Sequence, residues 1–380
     1  GFLSRVPAAL PAAVLVILAI SCGDDDGATS PTPAPSGPAT SVSPSGDAPK
    51  GEAIDLADKV GFVTYAGQDP TDLVTAANSL ALGDFNNDGD PDLLIGAPQA
   101  DGPEDKRLDG GEAYVIFGPL DKSGKLGAGS ADVTVFGAAA GDSLGYTVLA
   151  GDLNADGIDD VLIGAPGVTA GFDPRSDQGR VYVFFGSKDL GDDPERDLKE
   201  DIFDFTLTGS EGFSRLGHAM DMGDVNGDGT PDLVAGAPFA GRKLGTAPWG
   251  ERTAQGEVYV VFGSDELSGE KNVARDEFDV LLSGSVAFGQ FGSSVGAGDV
   301  NGDGVDDIVV GAYRATEAGQ SSTNGFAYVF LGGDDFQKKL TGEETKADTT
   351  IKGSTGASFG FPLAIGDFNG DGIEDMAFGA

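Results

Sequence analysis

Residues 223–238 read GDVNGDGTPDLVAGAP, four aspartate or asparagine side chains within nine positions and then an apolar run. The stretch recurs as GDFNNDGDPDLLIGAP from Gly83, GDLNADGIDDVLIGAP from Gly151, GDVNGDGVDDIVVGAY from Gly298 and GDFNGDGIEDMAFGA from Gly366. The leading aspartates, Asp84, Asp152, Asp224, Asp299 and Asp367, are 68, 72, 75 and 68 residues apart. One supersecondary unit of about 71 residues is therefore copied along the chain.

Each copy carries the same strand pattern. In the third, RLGHAMDMGDV, PDLVAGAP, GEVYVVFG and FDVLLSGS read as four short strands separated by turn residues. Four antiparallel strands per unit define a propeller blade, so the fold class is all-β. The third strands, from Gly111, Gly179, Gly256 and Gly325, are almost continuously apolar in their middles, as strands buried on both faces are.

Composition restricts the function. The chain of 380 residues holds 62 acidic and 23 basic side chains, a net charge of -39. That balance disfavours nucleic acid, whose phosphates need Lys and Arg, and favours cations or basic surfaces. A single cysteine excludes an internal disulfide, and a single histidine, His218, leaves few options for acid–base chemistry near neutral pH. Placed in the first strand of its blade, His218 reads as a packed, neutral side chain.

The N-terminus reads as a processing segment. Val6–Ile20 is apolar but short for a membrane span and carries Pro7 and Pro11, as a signal-peptide core does. Its end, LAISC, resembles a bacterial lipoprotein signal, which implies lipidation of Cys22; Ala19 stands where that pattern prefers Leu. An ordinary cleaved signal with an incidental cysteine is the alternative. This divides the chain into a signal at 1–22, a Pro/Ser/Thr/Gly-rich tether at 23–58 and a repeat domain at 59–380, and implies an extracytoplasmic, membrane-anchored bacterial protein.

The phrases QFGSSVGAGDV and SFGFPLAIGDF, followed by GAP-like tripeptides at Gly96, Gly164, Gly236, Gly311 and Gly379, resemble the FG-GAP repeats of integrin alpha-subunit propellers. The resemblance covers residues from about 60 onward. It departs at Ser79-Leu80, at Leu144-Gly145 and Leu216-Gly217, and at Tyr313, which replaces Pro; these are packing positions. It implies a seven-bladed ring, of which this chain would form an open arc of four blades plus part of a fifth. The phrase GFVTYAGQDPTDL resembles fourth-strand phrases, so residues 62–66 are expected to supply the outer strand of a last blade, with about two more blades following residue 380.

The oxygen-rich loop follows D-x-N-x-D-G-x-x-D, with four fixed side-chain ligands and a carbonyl from a freely varying position 7. The ligand sets are Asp84, Asn86, Asp88, Asp90 and Asp92; Asp152, Asn154, Asp156, Ile158 and Asp160; Asp224, Asn226, Asp228, Thr230 and Asp232; Asp299, Asn301, Asp303, Val305 and Asp307; and Asp367, Asn369, Asp371, Ile373 and Asp375. Compact hard oxygen donors suit Ca²⁺. An EF-hand would need Glu at position 12, where the chain has Ile95, Ile163, Ala235, Val310 and Phe378. The bland alternative is an Asx-rich turn, but three clustered aspartates without a cation repel one another in every copy. With no histidine or lysine beside the loops to act as a base, the metal is expected to be structural.

In an up-and-down blade the loops joining strands 2 and 3 emerge opposite the calcium hairpins, where recognition residues usually sit. Those loops hold Arg242, Trp249, Arg252, Tyr313 and Arg314, the aromatic and guanidinium groups of an interface anchor; Trp249 folding over its own loop is the alternative. The expectation is a calcium-stabilised surface adhesion module for a protein or glycan partner, without catalysis of its own. A propeller domain of a secreted lyase, hydrolase or dehydrogenase is the alternative.

Overall fold

The structure is a computed structural model that describes residues 15–18, 62–67, 79–120, 124–126, 131–168, 177–210, 213–241, 254–317, 322–333, 336, 342–343 and 346–380. Four antiparallel blades follow one another: Leu80–Gly83, Asp92–Ala97, Glu112–Ile116 and Val133–Phe136; Thr147–Gly151, Asp160–Ala165, Arg180–Phe184 and Phe205–Thr208; Ala219–Gly223, Asp232–Ala237, Glu257–Val261 and Val280–Ser283; and Ser294–Gly298, Asp307–Ala312, Phe326–Phe330 and Thr349–Lys352. A fifth contributes Leu363–Gly366 paired with Asp375–Phe378. The first strands of successive blades lie side by side, so they form the inner edge of an open arc.

Side-chain alternation explains why the second strands are buried throughout. In Asp160–Ala165, Val161 and Ile163 pack against blade 1 residues such as Leu94 and Val115. Leu162, on the other face, joins Leu233 and Ala235 of blade 3. Each interior blade is thus covered on both sides, and every aliphatic side chain so buried contributes about 1.5 to 3 kcal/mol.

The glycines of the two motif halves meet between blades. A Cβ on Gly96 would stand 2.0 Å from the carbonyl oxygen of Gly145, and Gly164, Gly236 and Gly311 meet Gly217, Gly292 and Gly360 of the next blade equally closely. The second glycine also ties its own blade, as when the Gly145 N–H donates to the Gly164 carbonyl at 3.0 Å. The Phe or Leu before it is buried, as Leu144, Leu216 and Phe291 are. That is why Leu replaces Phe without loss: an apolar plug is required, and a ring is not.

The blades are not simply four-stranded. Glu195–Asp197 pairs in parallel with the outer strand of blade 1, Gly269–Asn272 with that of blade 2, and Gly342–Glu343 with that of blade 3. Each strap comes from the connection between strands 3 and 4 of the following blade and covers an edge that would otherwise expose unpaired backbone. The first strap is anchored by Arg107, whose guanidinium donates to both carboxylate oxygens of Asp197 at 2.6 Å and to the Gly137 carbonyl at 2.6 Å. Phe62–Gly67 is a strand, and Gly124–Leu126, from the connection between strands 3 and 4 of blade 1, pairs with it in parallel, the relation each strap has to the outer strand of the preceding blade; its other neighbour is Leu15–Leu18, also parallel.

Asp142, in the turn entering blade 2, is buried and accepts from the Ala139 N–H at 2.8 Å. Burial pushes its pKa up to about 6 against the pull of that N–H and of Arg180 and Arg107. A carboxyl raised in the folded state contributes stability at low pH that is lost as pH rises through about 6. Asp142→Asn, which keeps an acceptor and removes the charge, is expected to stabilise the protein by about 1 to 3 kcal/mol at pH 7.5 and to give little gain at pH 4.5. Thermal melts at both pH values check it; equal shifts at both would defeat it.

Candidate metal centre and the opposite face

Each oxygen-rich loop spans the turn from an inner strand to the second strand of its blade. In the third copy Asp224 accepts from the N–H groups of Asp228 at 3.0 Å and Gly229 at 2.8 Å, Asn226 from Asp228 at 2.8 Å, and Asp228 from Thr230 at 2.9 Å. The first, second and fifth copies repeat this pattern. The fourth repeats the bonds to Asp299 and Asp303, its first and fifth loop positions. Glycine is required at position 6, where φ is +89° at Gly89, +86° at Gly157, +92° at Gly229, +90° at Gly304 and +86° at Gly372.

The ninth residue is built differently. Asp92, Asp160, Asp232 and Asp307 are fully buried. In Asp232 one carboxylate oxygen accepts from the Val225 N–H inside the loop at 3.0 Å and the other from the Gly263 N–H after the third strand at 3.0 Å. Asp92 and Asp160 bridge the same two segments. Burial pushes Asp160 and Asp232 up to about 7, and neighbouring carboxylates, Asp156 in one and Asp228 and Asp224 in the other, add to the rise. Asp92 and Asp307 are raised for the same reason. Asp307 Oδ2 is buried with no hydrogen-bond partner.

Among the described residues no group of three or more His, Cys, Asp or Glu side chains is gathered as a finished metal cluster, because the carboxylates fold onto the backbone of their own loops. The Asx-turn contacts named as the bland alternative are therefore present. They leave unexplained why a buried carboxylate lacks a counter-charge in four successive blades.

Neighbouring loops touch. The Asp84 N–H donates to Asp159 Oδ2 of the next blade at 2.9 Å, and the Asp224 N–H to Asp306 Oδ2 at 2.8 Å. The second loop residues Phe85, Leu153 and Val225 are buried. Their carbonyls accept from Ser187, Ser264 and Gly333 of the following blade.

On the opposite face, Arg242, Trp249 and Arg252 lie outside the described residues. Tyr313 and Arg314 are described: the guanidinium sits 5.9 Å from the Tyr313 ring centre, and that ring lies 5.6 Å from Phe361. Arg215 stacks 5.1 Å from the Phe239 ring and pairs with Asp177 at 3.1 Å. His218 is partly buried, with Nε2 3.3 Å from the Tyr146 hydroxyl, and burial lowers its pKa to about 4, so it is neutral as expected.

Two residues on this face escaped the sequence reading. Phe213 and Phe288 occupy equivalent places in the turns entering blades 3 and 4, at φ of +58° and +61°, where the turns entering blades 2 and 5 use Gly141 and Gly356. They are 42% and 57% exposed. A phenylalanine in a left-handed conformation costs of order 1 kcal/mol and here gains no burial in return. The signal was visible in the sequence as an aromatic in a glycine slot.

Repeating blades with a carboxylate hairpin on one face define a propeller repeat protein. The FG-GAP repeat profile matches residues 76–116, 144–184, 216–261 and 291–330, and the chain is an FG-GAP repeat protein. It is 33% identical over 224 residues to human phosphatidylinositol-glycan-specific phospholipase D, a match covering 58% of this chain and 24% of that protein. It is 29% identical over 243 residues to integrin alpha-5 of Xenopus laevis, covering 62% of this chain and 19% of that one. The chain thus spans a quarter or less of these relatives. The solved structure of rhamnogalacturonan lyase YesW aligns with a TM-score of 0.32 at 10% identity, over 80% of this chain and 58% of that one.

The ninth and fifth loop positions are expected to separate in mutants. Asp232→Ala leaves the Gly263 N–H without an acceptor and the Val225 N–H with only the Gly223 carbonyl, and should lower stability by about 1 to 3 kcal/mol whether or not calcium is present. Asp228→Ser, at an exposed position, should cost much less in chelator and show its effect only with calcium. Chemical denaturation of both variants with and without the ion checks this, and equal losses in chelator would refute it.

Proposed function

We propose that the chain is a calcium-stabilised, surface-displayed binding module that engages a protein or glycan partner through the face opposite the calcium hairpins. The observation that carries the binding role is the pair Phe213 and Phe288, strained and exposed on that face with Tyr313 and Arg314. Strain held at exposed aromatics points to recognition, since neither packing nor backbone geometry rewards it. The role is binding rather than catalysis.

Calcium fits the donor set: in each of the four complete blades two aspartates, an asparagine and a position 7 carbonyl share the loop with a buried carboxylate whose pKa burial raises and which has no counter-charge. The ion would neutralise that carboxylate and draw the loop oxygens inward. Display at the surface follows from the tether and Cys22, which lie outside the described residues. Among the described residues no helix is long and apolar enough to cross a membrane.

A site of about 0.1 mM affinity in about 1 mM calcium adds roughly 1.4 kcal/mol, so several sites should raise the melting temperature by many degrees. EGTA is expected to reverse that rise and magnesium to restore little of it. A melt indifferent to EGTA would reduce the loops to acidic turns. For the binding face, Phe213→Gly with Phe288→Gly should alter stability by no more than about 1 kcal/mol. The double variant should abolish capture of partners from glycan arrays and envelope-protein fractions; undiminished capture would overturn the assignment of this face.

A further inference from the structure

The inner strands of blades 2 to 5 open onto a cleft on the face opposite the hairpins. Its wall is made from one repeated position, the residue after the motif glycine, which is Tyr146, His218, Ser293 and Phe361 in successive blades. The glycines before them, Gly145, Gly217, Gly292 and Gly360, all turn the chain at positive φ, between +81° and +98°. The repeat therefore delivers four side chains to one place by the same backbone device. Their chemistry differs from blade to blade: a phenol, an imidazole, a hydroxyl and a phenyl ring. The cleft is open: the roughly 400 Å³ of empty space along it includes solvent beyond its mouth.

The polar groups divide into two sets. Thr147 Oγ1 donates to the Gly217 carbonyl at 2.7 Å and Ser294 Oγ to the Gly360 carbonyl at 2.6 Å, so both are committed to the framework. Tyr146 and His218 are not. Their rings pack 5.0 Å apart with the hydroxyl 3.3 Å from Nε2, and His218 also feels the Ser293 backbone, but no group lies within hydrogen-bond geometry of the buried His218 Nδ1. If the hydroxyl donates to Nε2, Nδ1 carries an unused proton. If Nε2 donates instead, Nδ1 is an unused acceptor and the tyrosine proton is free. Either way the pair offers hydrogen bonds that the fold does not consume. Ser293 Oγ adds a long bond of 3.3 Å to the Gly311 carbonyl.

Apolar surface stands beside these groups. Phe361 is 38% exposed and is backed by the Tyr313 ring. Among the described residues no carboxylate lines the cleft, although the chain carries 62 acidic residues. Burial raises the pKa of the Tyr146 hydroxyl and lowers that of His218; the Arg215 guanidinium, itself paired with Asp177, opposes the first shift and adds to the second. A lining without acids disfavours a cationic ligand. A ring with a C–H face for the aromatics and hydroxyls for Tyr146, His218 and Ser293 matches what remains.

We propose that this cleft is a carbohydrate subsite that takes one pyranose ring, packed on Phe361 and hydrogen-bonded by Tyr146, His218 and Ser293. The proposal rests on the binding role above and names the ligand class for the centre of that face. Saturation-transfer NMR and titration of the calcium-loaded chain use methyl glycosides of glucose, galactose, mannose and rhamnose in one arm and methyl glucuronate and galacturonate in the other. At least one glycoside is expected to bind with Kd on the order of 1 mM. Tyr146→Phe and His218→Phe, each verified as folded by its melt, should weaken that binding about tenfold. Preference for the uronates would identify the ring as acidic, and preference for the first arm as neutral. Silence from every glycoside, binding that survives both substitutions, or tetramethylammonium binding in place of sugar would overturn the proposal. Capture by Phe213 and Phe288 that persists while all glycosides fail would overturn this subsite alone and leave the wider binding face standing.

Discussion

A buried aspartate at the ninth loop position holds three pieces of each complete blade in register. In blade 3 the carboxylate of Asp232 sits at the start of the second strand, closes the hairpin through Val225 and fastens the end of the third strand through Gly263. Remove the carboxylate and the Gly263 N–H loses its acceptor, while the Val225 N–H keeps only the Gly223 carbonyl. Keep it, and a carboxyl is buried among other carboxylates, a cost met in four successive blades and the reason a cation is proposed there.

The second constraint is steric. Where the two motif glycines of neighbouring blades meet, a methyl group would overlap a carbonyl oxygen. The contact fixes the distance between inner strands, and with it the depth at which Leu144, Leu216 and Phe291 are inserted. The oxygen-rich loop and the cleft are thus opposite ends of the same inner strands. Their separation is set by strand length, about four or five residues, and by nothing in either site.

Much of this was legible in the sequence because repetition averages out local ambiguity. One D-x-N-x-D-G loop is a turn or a metal site; five copies, each followed by an apolar hexamer, identify a hairpin feeding a buried strand. The blade strands, the loop positions and the neutral character of His218 could all be read this way. The straps could not. Glu195–Asp197, Gly269–Asn272 and Gly342–Glu343 share no residue pattern, since parallel edge pairing uses only backbone; in the first two the side chains are exposed or half-buried, with a local partner such as Arg107. Phe62–Gly67 has a fourth-strand sequence and takes a strap, Gly124–Leu126, as the other fourth strands do; its pairing with Leu15–Leu18 was not legible, because β propensity specifies an extended segment and not its neighbour. Phe213 and Phe288 were missed for another reason: their meaning lies in a φ angle that only the contrast with Gly141 and Gly356 makes visible.

The straps give the array a direction. Each blade covers its predecessor's outer edge with residues that lie more than fifty positions further along, so a nascent blade remains open-edged until the next one has been made. Successive repeats are about 70 residues apart, and synthesis at about 5 to 20 residues per second leaves each edge bare for roughly 4 to 14 s. During that interval the outer strand is a pairing site for any extended chain nearby. Val133–Phe136, Phe205–Thr208 and Val280–Ser283 are short, four residues each, which limits what can zip onto them before the proper strap arrives. Brevity of the rim strands is therefore a kinetic safeguard for a protein assembled one blade at a time.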